Sequence, residues 1–143
     1  MQPSHVLVPM DGSPLAQEAL EHTLAVFDCK VTVLNVITPL DSPLSEGGVL
    51  EVGETRFETA QKRSEKLIER ASQQAETVGR EIETVVETGD PAEEILAYVD
   101  TRDIDQVVMG GHGSEHGRIA RRLLGTVATA VVGDAPVTVT VVR

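Results

Sequence analysis

An α/β fold built on an open, parallel five-stranded sheet is what this sequence predicts, from three observations. Runs rich in Val and Ile recur at 5–10, 30–37, 81–87, 103–110 and 136–142. Each is separated from the next by a segment of helical character, and strands alternating with helices imply parallel pairing through right-handed crossovers. The chain of 143 residues, 41% hydrophobic, suits one compact domain spanning 1–143 that buries roughly two thirds of the surface its unfolded form exposes.

The elements follow in order. "HVLVPM" (5–10) is the first strand, and "DGSPLAQEAL" announces the first helix, with Ser13 as N-cap, Pro14 at the first helical position, and Leu15, Ala19, Leu20, Leu24 and Phe27 as its apolar stripe. "KVTVLNVI" (30–37) is the second strand. The stretch "TPLDSPLSEGGVLEVG" (38–53), rich in Pro, Gly and Ser, is long for a crossover connection and reads either as a flap over the sheet edge or as a plain surface loop. A long polar helix is expected over 54–78, with Phe57, Leu67, Ile68, Ala71 and Ala75 facing inward. "EIETVVE" (81–87) gives the third strand, and Asp90-Pro91 starts a helix carrying Ile95, Leu96 and Tyr98. "DIDQVVMG" (103–110) is the fourth strand, Gly133 is expected to close a helix carrying Val127, Ala128, Val131 and Val132, and "PVTVTVV" (136–142) is the fifth strand.

Charge narrows the function classes. The net charge of -11, from 23 acidic against 12 basic residues, repels nucleic-acid phosphates and anionic lipid, so neither nucleic acid nor membrane is an expected partner. Only three of the basic residues are lysines, Lys30, Lys62 and Lys66. A lysine-poor acidic shell suits a halophilic, high-salt cytoplasm, where screening removes self-repulsion, and it also suits an ordinary acidic protein. The single Cys29 cannot form an intramolecular disulfide and reads as an inert core thiol. No run approaches a membrane span and "MQPSHVLVPMDGS" lacks a signal-peptide pattern, so a cytoplasmic location is expected.

In an open parallel sheet, ligands bind beyond the carboxyl ends of the strands, where strand order reverses. The ends of the first and fourth strands carry "VPMDGS" (8–13) and "MGGHG" (109–113), and Gly125-Thr126 opens the last helix. Glycines after a strand admit an anion to the backbone, and a helix start supplies oriented N–H groups, with Thr126 placed to cap the helix or reach a phosphate oxygen. The same residues also read as a tight turn before a capped helix. His112 and His116 stand at i and i+4, yet no third ligand joins them at a telling spacing, so no metal is expected. Arg118, Arg121 and Arg122 suit either phosphate oxygens or neighbouring surface carboxylates.

The pieces "VLVPMDGS", "VTVLNVI", "VVMGGHG", "LLGTVATAVV" and "APVTVTVVR", in this order and at these separations, resemble the universal stress protein family over essentially the whole chain. The resemblance implies a doubly wound sheet of order 3-2-1-4-5 with the four helices on both faces, dimerisation through the last strand, and ATP binding in some members. Their nucleotide-binding pattern is Gly-x2-Gly-x9-Gly-Ser/Thr, whereas here eleven residues, Ser114 to Leu124, separate Gly113 from Gly125. Carried over position by position, the resemblance implies that Asp11 contacts the adenosine moiety, with Pro9 shaping its turn, and that Val36 meets adenine through its backbone. It places Met109 and Gly110 on the ribose side, His112 beside the nucleotide, Gly113 at the phosphates, and Gly125, Thr126 and Val127 at the phosphate end.

The function expected is that of a stress-related regulatory protein that binds an adenine nucleotide, ATP with or without Mg. No Walker lysine follows the glycines and no general base is poised for phosphoryl transfer, so any ATPase activity is expected to be slow and the protein is not expected to be an enzyme. The alternative is a dimeric interaction protein of the same type that binds no nucleotide. A phosphorylatable receiver domain fits poorly, because the fifth strand ends in Arg143 rather than a lysine. A homodimer through Val137–Val142 is expected, since the Val/Thr alternation suits a sheet edge that pairing would cover. A further protein partner of unknown identity would read the bound state.

Overall fold

The computed structural model of the chain describes residues 2–39, 49–112 and 124–143, and the side chains of all these except 49–55. Its elements are β1 (His5–Pro9), α1 (Pro14–Val26), β2 (Lys30–Ile37), α2 (Val49–Thr77), β3 (Glu83–Thr88), α3 (Pro91–Thr101), β4 (Gln106–Gly110), α4 (Thr126–Asp134) and β5 (Thr138–Val142). The strands form one sheet of order β3-β2-β1-β4-β5, with every pairing parallel. This is the doubly wound α/β architecture that the sequence implies.

The unbroken apolar run of β1 records a strand covered on both faces, as parallel sheets require. Val6 and Val8 face one layer and Leu7 the other, and all three are fully buried. On the first face they meet Ala16, Ala19, Leu20 and Leu24 of α1 and Leu67, Ala71 and Ala75 of α2. On the second, Leu7, Leu34, Val107 and Met109 pack with Ile95, Tyr98 and Val99 of α3 and Ala128 and Val131 of α4.

Helix starts follow local chemistry. Ser13 caps α1, its side chain accepting from the Ala16 N–H at 3.3 Å, with Pro14 next in line. Asp90 caps α3 in the same way through the Glu93 N–H at 3.1 Å. Three boundaries and one burial depart from the sequence reading. The helix expected from 54 begins at Val49 and takes Gly53 within its span, despite the roughly 1 kcal/mol that glycine costs a helix relative to alanine. Residues 49–53 of the long connection are therefore helical, while 40–48 lie outside the described residues. Phe57, expected to face inward, is exposed. The fourth strand starts at Gln106 rather than at 103, because Asp103 turns the chain at a positive φ of 52°. Gly133 does not end the last helix; it lies within α4, whose C-cap is Ala135.

The amino edge of the sheet, away from the strand ends that carry the glycines, holds a polar group of its own. The buried His5 ring meets Thr32 Oγ1 through Nε2 at 2.7 Å, and Lys30 Nζ pairs with Glu83 Oε2 at 3.3 Å. Burial and then the Lys30 charge lower the His5 pKa, outweighing Glu83, Asp105 and Asp103. A lowered imidazole pKa means the unfolded chain binds the proton first, so stability is full above about pH 6.5 and falls as pH drops through the unfolded value. The wild-type protein is thus expected to unfold at lower denaturant at pH 5.5 than at 7.5, with His5→Gln shrinking that difference. An unchanged difference in His5→Gln would assign it elsewhere. Burial likewise pushes the Cys29 thiol up, which keeps it unreactive.

Candidate functional site

Because β1 is followed by β2 on one side and the adjacent β4 by β5 on the other, the connections leaving the carboxyl ends of β1 and β4 run toward opposite edges of the sheet. Helices α1 and α2 cover one face, α3 and α4 the other. The two layers part over the ends of β1, β2 and β4, leaving a cleft of about 720 Å³. That is the place and the size expected of a small-molecule site in an open α/β sheet.

The floor at β1 is fixed by hydrogen bonds. The Met10 N–H donates to Leu34 O at 2.8 Å, and Met10 O accepts from Asn35 Nδ2 at 2.8 Å. Ser64 Oγ, from α2, donates to Asn35 Oδ1 at 2.6 Å. Asn35 and Ser64 are both buried, so this link joins the end of β1, the end of β2 and the middle of α2 with no unsatisfied group. Beyond Met10 the chain turns at Gly12, whose φ of 84° suits glycine. Asp11 Oδ1 accepts from the Ser13 N–H at 2.9 Å, which sets the carboxylate at the exposed rim of the cleft.

At β4 the glycines serve packing as well as access. A Cβ on Gly110 would stand 2.9 Å from Leu15 Cβ and 3.0 Å from the Ala16 nitrogen, so this residue lets β4 and the start of α1 approach. The Gly111 N–H donates to Val142 O at 2.7 Å, and Gly111 O accepts from the Gly125 N–H at 2.6 Å. Gly125 in turn is closely packed, with a Cβ there only 3.2 Å from His112 Cα. The start of α4 is thereby pinned beside the end of β4.

Gly125, not Thr126, is the N-cap of α4, and no side chain caps that end. Thr126 is the first helical residue, one place too late to cap, which corrects the capping role expected of it; its exposed side chain lines the cleft. The first-turn N–H groups of α4 are the kind of oriented donors that attract an anion.

Of the residues singled out from sequence, Pro9, Asp11, Val36, Met109, Gly110, His112, Gly125, Thr126 and Val127 all line this one cleft. Gly113, His116, Arg118, Arg121 and Arg122 lie outside the described residues. Among the described residues, no group of three His, Cys, Asp or Glu side chains could hold a metal ion, and no helix is long and apolar enough to cross a membrane. Sequence reasoning missed Asn35, Gly111 and a whole wall supplied by α2, including Arg56, Thr59, Arg63 and Ser64. The signal for that wall is present: Arg56, Ala60, Arg63 and Leu67 recur at helical spacing on one face.

Comparison with known proteins places the chain among relatives. Residues 3–143 match the model of the universal stress protein family. Universal stress protein MJ0531 of Methanocaldococcus jannaschii is 30% identical over an alignment covering 96% of this chain and 81% of that protein. The universal stress protein UspA from Lactobacillus plantarum superposes with a TM-score of 0.85 at 24% identity, covering 100% of this chain and 99% of that one. A universal stress protein family protein from Arabidopsis thaliana, solved with AMP bound, has a TM-score of 0.70 at 22% identity, covering 98% of this chain and 91% of that one.

Proposed function

The chain belongs to the universal stress protein family, and on that premise we propose that it is a stress-related regulatory protein that binds an adenine nucleotide, ATP with or without Mg, in the cleft at the carboxyl edge of the sheet. The observation that carries the reading is the convergence, in one cleft of about 720 Å³, of the Asp11 turn, the end of β2 at Val36 and the uncapped start of α4 behind Gly125. The AMP bound by the Arabidopsis relative supports the ligand class.

Asp11 is proposed to accept from the ribose hydroxyls, Val36 to meet adenine through its backbone, and the N–H groups at Gly125, Thr126 and Val127 to receive the phosphates. Mg, where present, would be held by phosphate oxygens rather than by a dedicated protein site. We propose no turnover beyond slow hydrolysis, since no Walker lysine follows the glycines in the sequence. The protein is proposed to act in the cytoplasm.

Calorimetric titration with ATP, with and without magnesium, tests the reading. A saturable single-site isotherm is expected, weakened about tenfold in Asp11→Ala by loss of a charge-assisted hydrogen bond. Neither heat nor protection from unfolding at millimolar ATP would overturn it. The second reading, a dimeric interaction protein that binds no nucleotide, would then stand, favoured by the eleven residues where the family's pattern has nine. In both readings β5, which ends the sheet, is proposed to pair across Val137–Val142 with a second copy, removing an open edge. Light scattering in molar salt should report a dimer at micromolar concentration, and a strictly monomeric mass would refute the pairing.

A further inference from the structure

The wall that α2 gives to the cleft carries charge of the wrong sign for this chain. In a protein of net charge -11, the described lining residues with permanent charge are Arg56 and Arg63 against Asp11 alone. The two arginines stand seven positions apart, close to two helical turns and about 10 Å of rise, so both project from one face. Ala60 and Leu67 lie on the same face and also line the cleft.

The stance of that face is fixed. Ser64, next to Arg63, is buried and hydrogen-bonded to Asn35 at 2.6 Å. Leu67 packs at the Gly12 turn, with its Cδ1 3.4 Å from where a Cβ on Gly12 would be. These two anchors hold α2 over the cleft without using either arginine, which leaves both guanidinium groups to act on what enters. Forked guanidinium donors match phosphate oxygens better than a point charge does, and a cationic wall offsets the field of an acidic shell that otherwise repels anions.

Resting on the nucleotide reading above, we propose that Arg56 and Arg63 are the phosphate-selecting residues of the cleft. They make it prefer a phosphorylated adenine nucleotide to adenosine, and the triphosphate most of all.

The test compares wild type, Arg56→Gln, Arg63→Gln and the double variant by calorimetry with ATP, adenosine and inorganic tripolyphosphate at one fixed ionic strength. Each single substitution is expected to weaken ATP roughly 10- to 100-fold, the span of one charged hydrogen-bond pair, while adenosine stays within about twofold. The double variant should therefore lose most of the ATP-to-adenosine ratio. A double variant that keeps the wild-type ratio would overturn the role of the arginines and leave the adenine reading standing. Wild-type protein that binds tripolyphosphate as tightly as ATP, with both lost in the double variant, would instead overturn the adenine reading and uphold the arginines.

Discussion

Gly110→Val is expected to cost ~3 kcal/mol or more of folding stability, the upper range for overpacking a tight contact. The added Cβ would meet Leu15 Cβ at 2.9 Å, the Leu15 carbonyl carbon at 3.0 Å and the Ala16 nitrogen at 3.0 Å. Two of those atoms are backbone, and α1 cannot recede easily, because Ser13 caps it and Ala16, Ala19 and Leu20 are buried against the sheet. Gly133 supplies the contrast. It lies in α4 with nothing within 4 Å of where a Cβ would stand, so Gly133→Ala should be neutral or stabilise by up to ~1 kcal/mol. Denaturant midpoints of the two variants measure both effects. A Gly110→Val midpoint equal to wild type would show that the β4–α1 approach is looser than described.

Lowering potassium chloride from molar to millimolar is expected to drop the melting temperature by roughly 10 °C or more, the shift that about 2–3 kcal/mol produces in a domain of this size. The cause is repulsion among 23 acidic residues against 12 basic ones, unscreened once the Debye length grows from about 3 Å toward 30 Å and beyond. Much of the acidic surface lies on helices, as with Glu58, Glu65, Glu69 and Glu76 on the exposed side of α2, where folding brings like charges together. A melt followed by circular dichroism that is unchanged across that salt range would make the lysine-poor composition incidental.

The fold was legible because β1, β2 and β4 are buried on both faces and so had to be written as continuous apolar runs, visible in "HVLV" and "VTVLNVI". The alternation of elements implied parallel pairing, but the strand order came through the family resemblance; no periodicity encodes which neighbour a strand chooses. Boundaries failed where a helix runs through a poor helix former, as at Gly53 inside α2, or where a non-glycine residue turns the chain, as at Asp103.

The site divides in the same way. Asp11, Met109, Gly110 and Gly125 were readable because they sit in contiguous turns at strand ends and a helix start. The α2 wall was legible only as a helical face shared by Arg56, Ala60, Arg63 and Leu67; that this face meets the cleft depends on how the helix lies across the sheet, held by the Ser64–Asn35 bond. That bond joins residues 29 positions apart and leaves no trace in sequence spacing. Gly110 shows the opposite case: it was read for its access to a ligand, and the structure adds a packing duty against α1.

If the cleft above β1, β2 and β4 is an adenine-nucleotide site, a crystal structure of the protein grown with ATP will show where each part of the ligand lies. Adenosine is expected between Asp11 and Val36, with the phosphates at the Gly125–Val127 backbone and beneath Arg56 and Arg63. An empty cleft at saturating ATP, or nucleotide bound elsewhere on the molecule, would contradict that assignment.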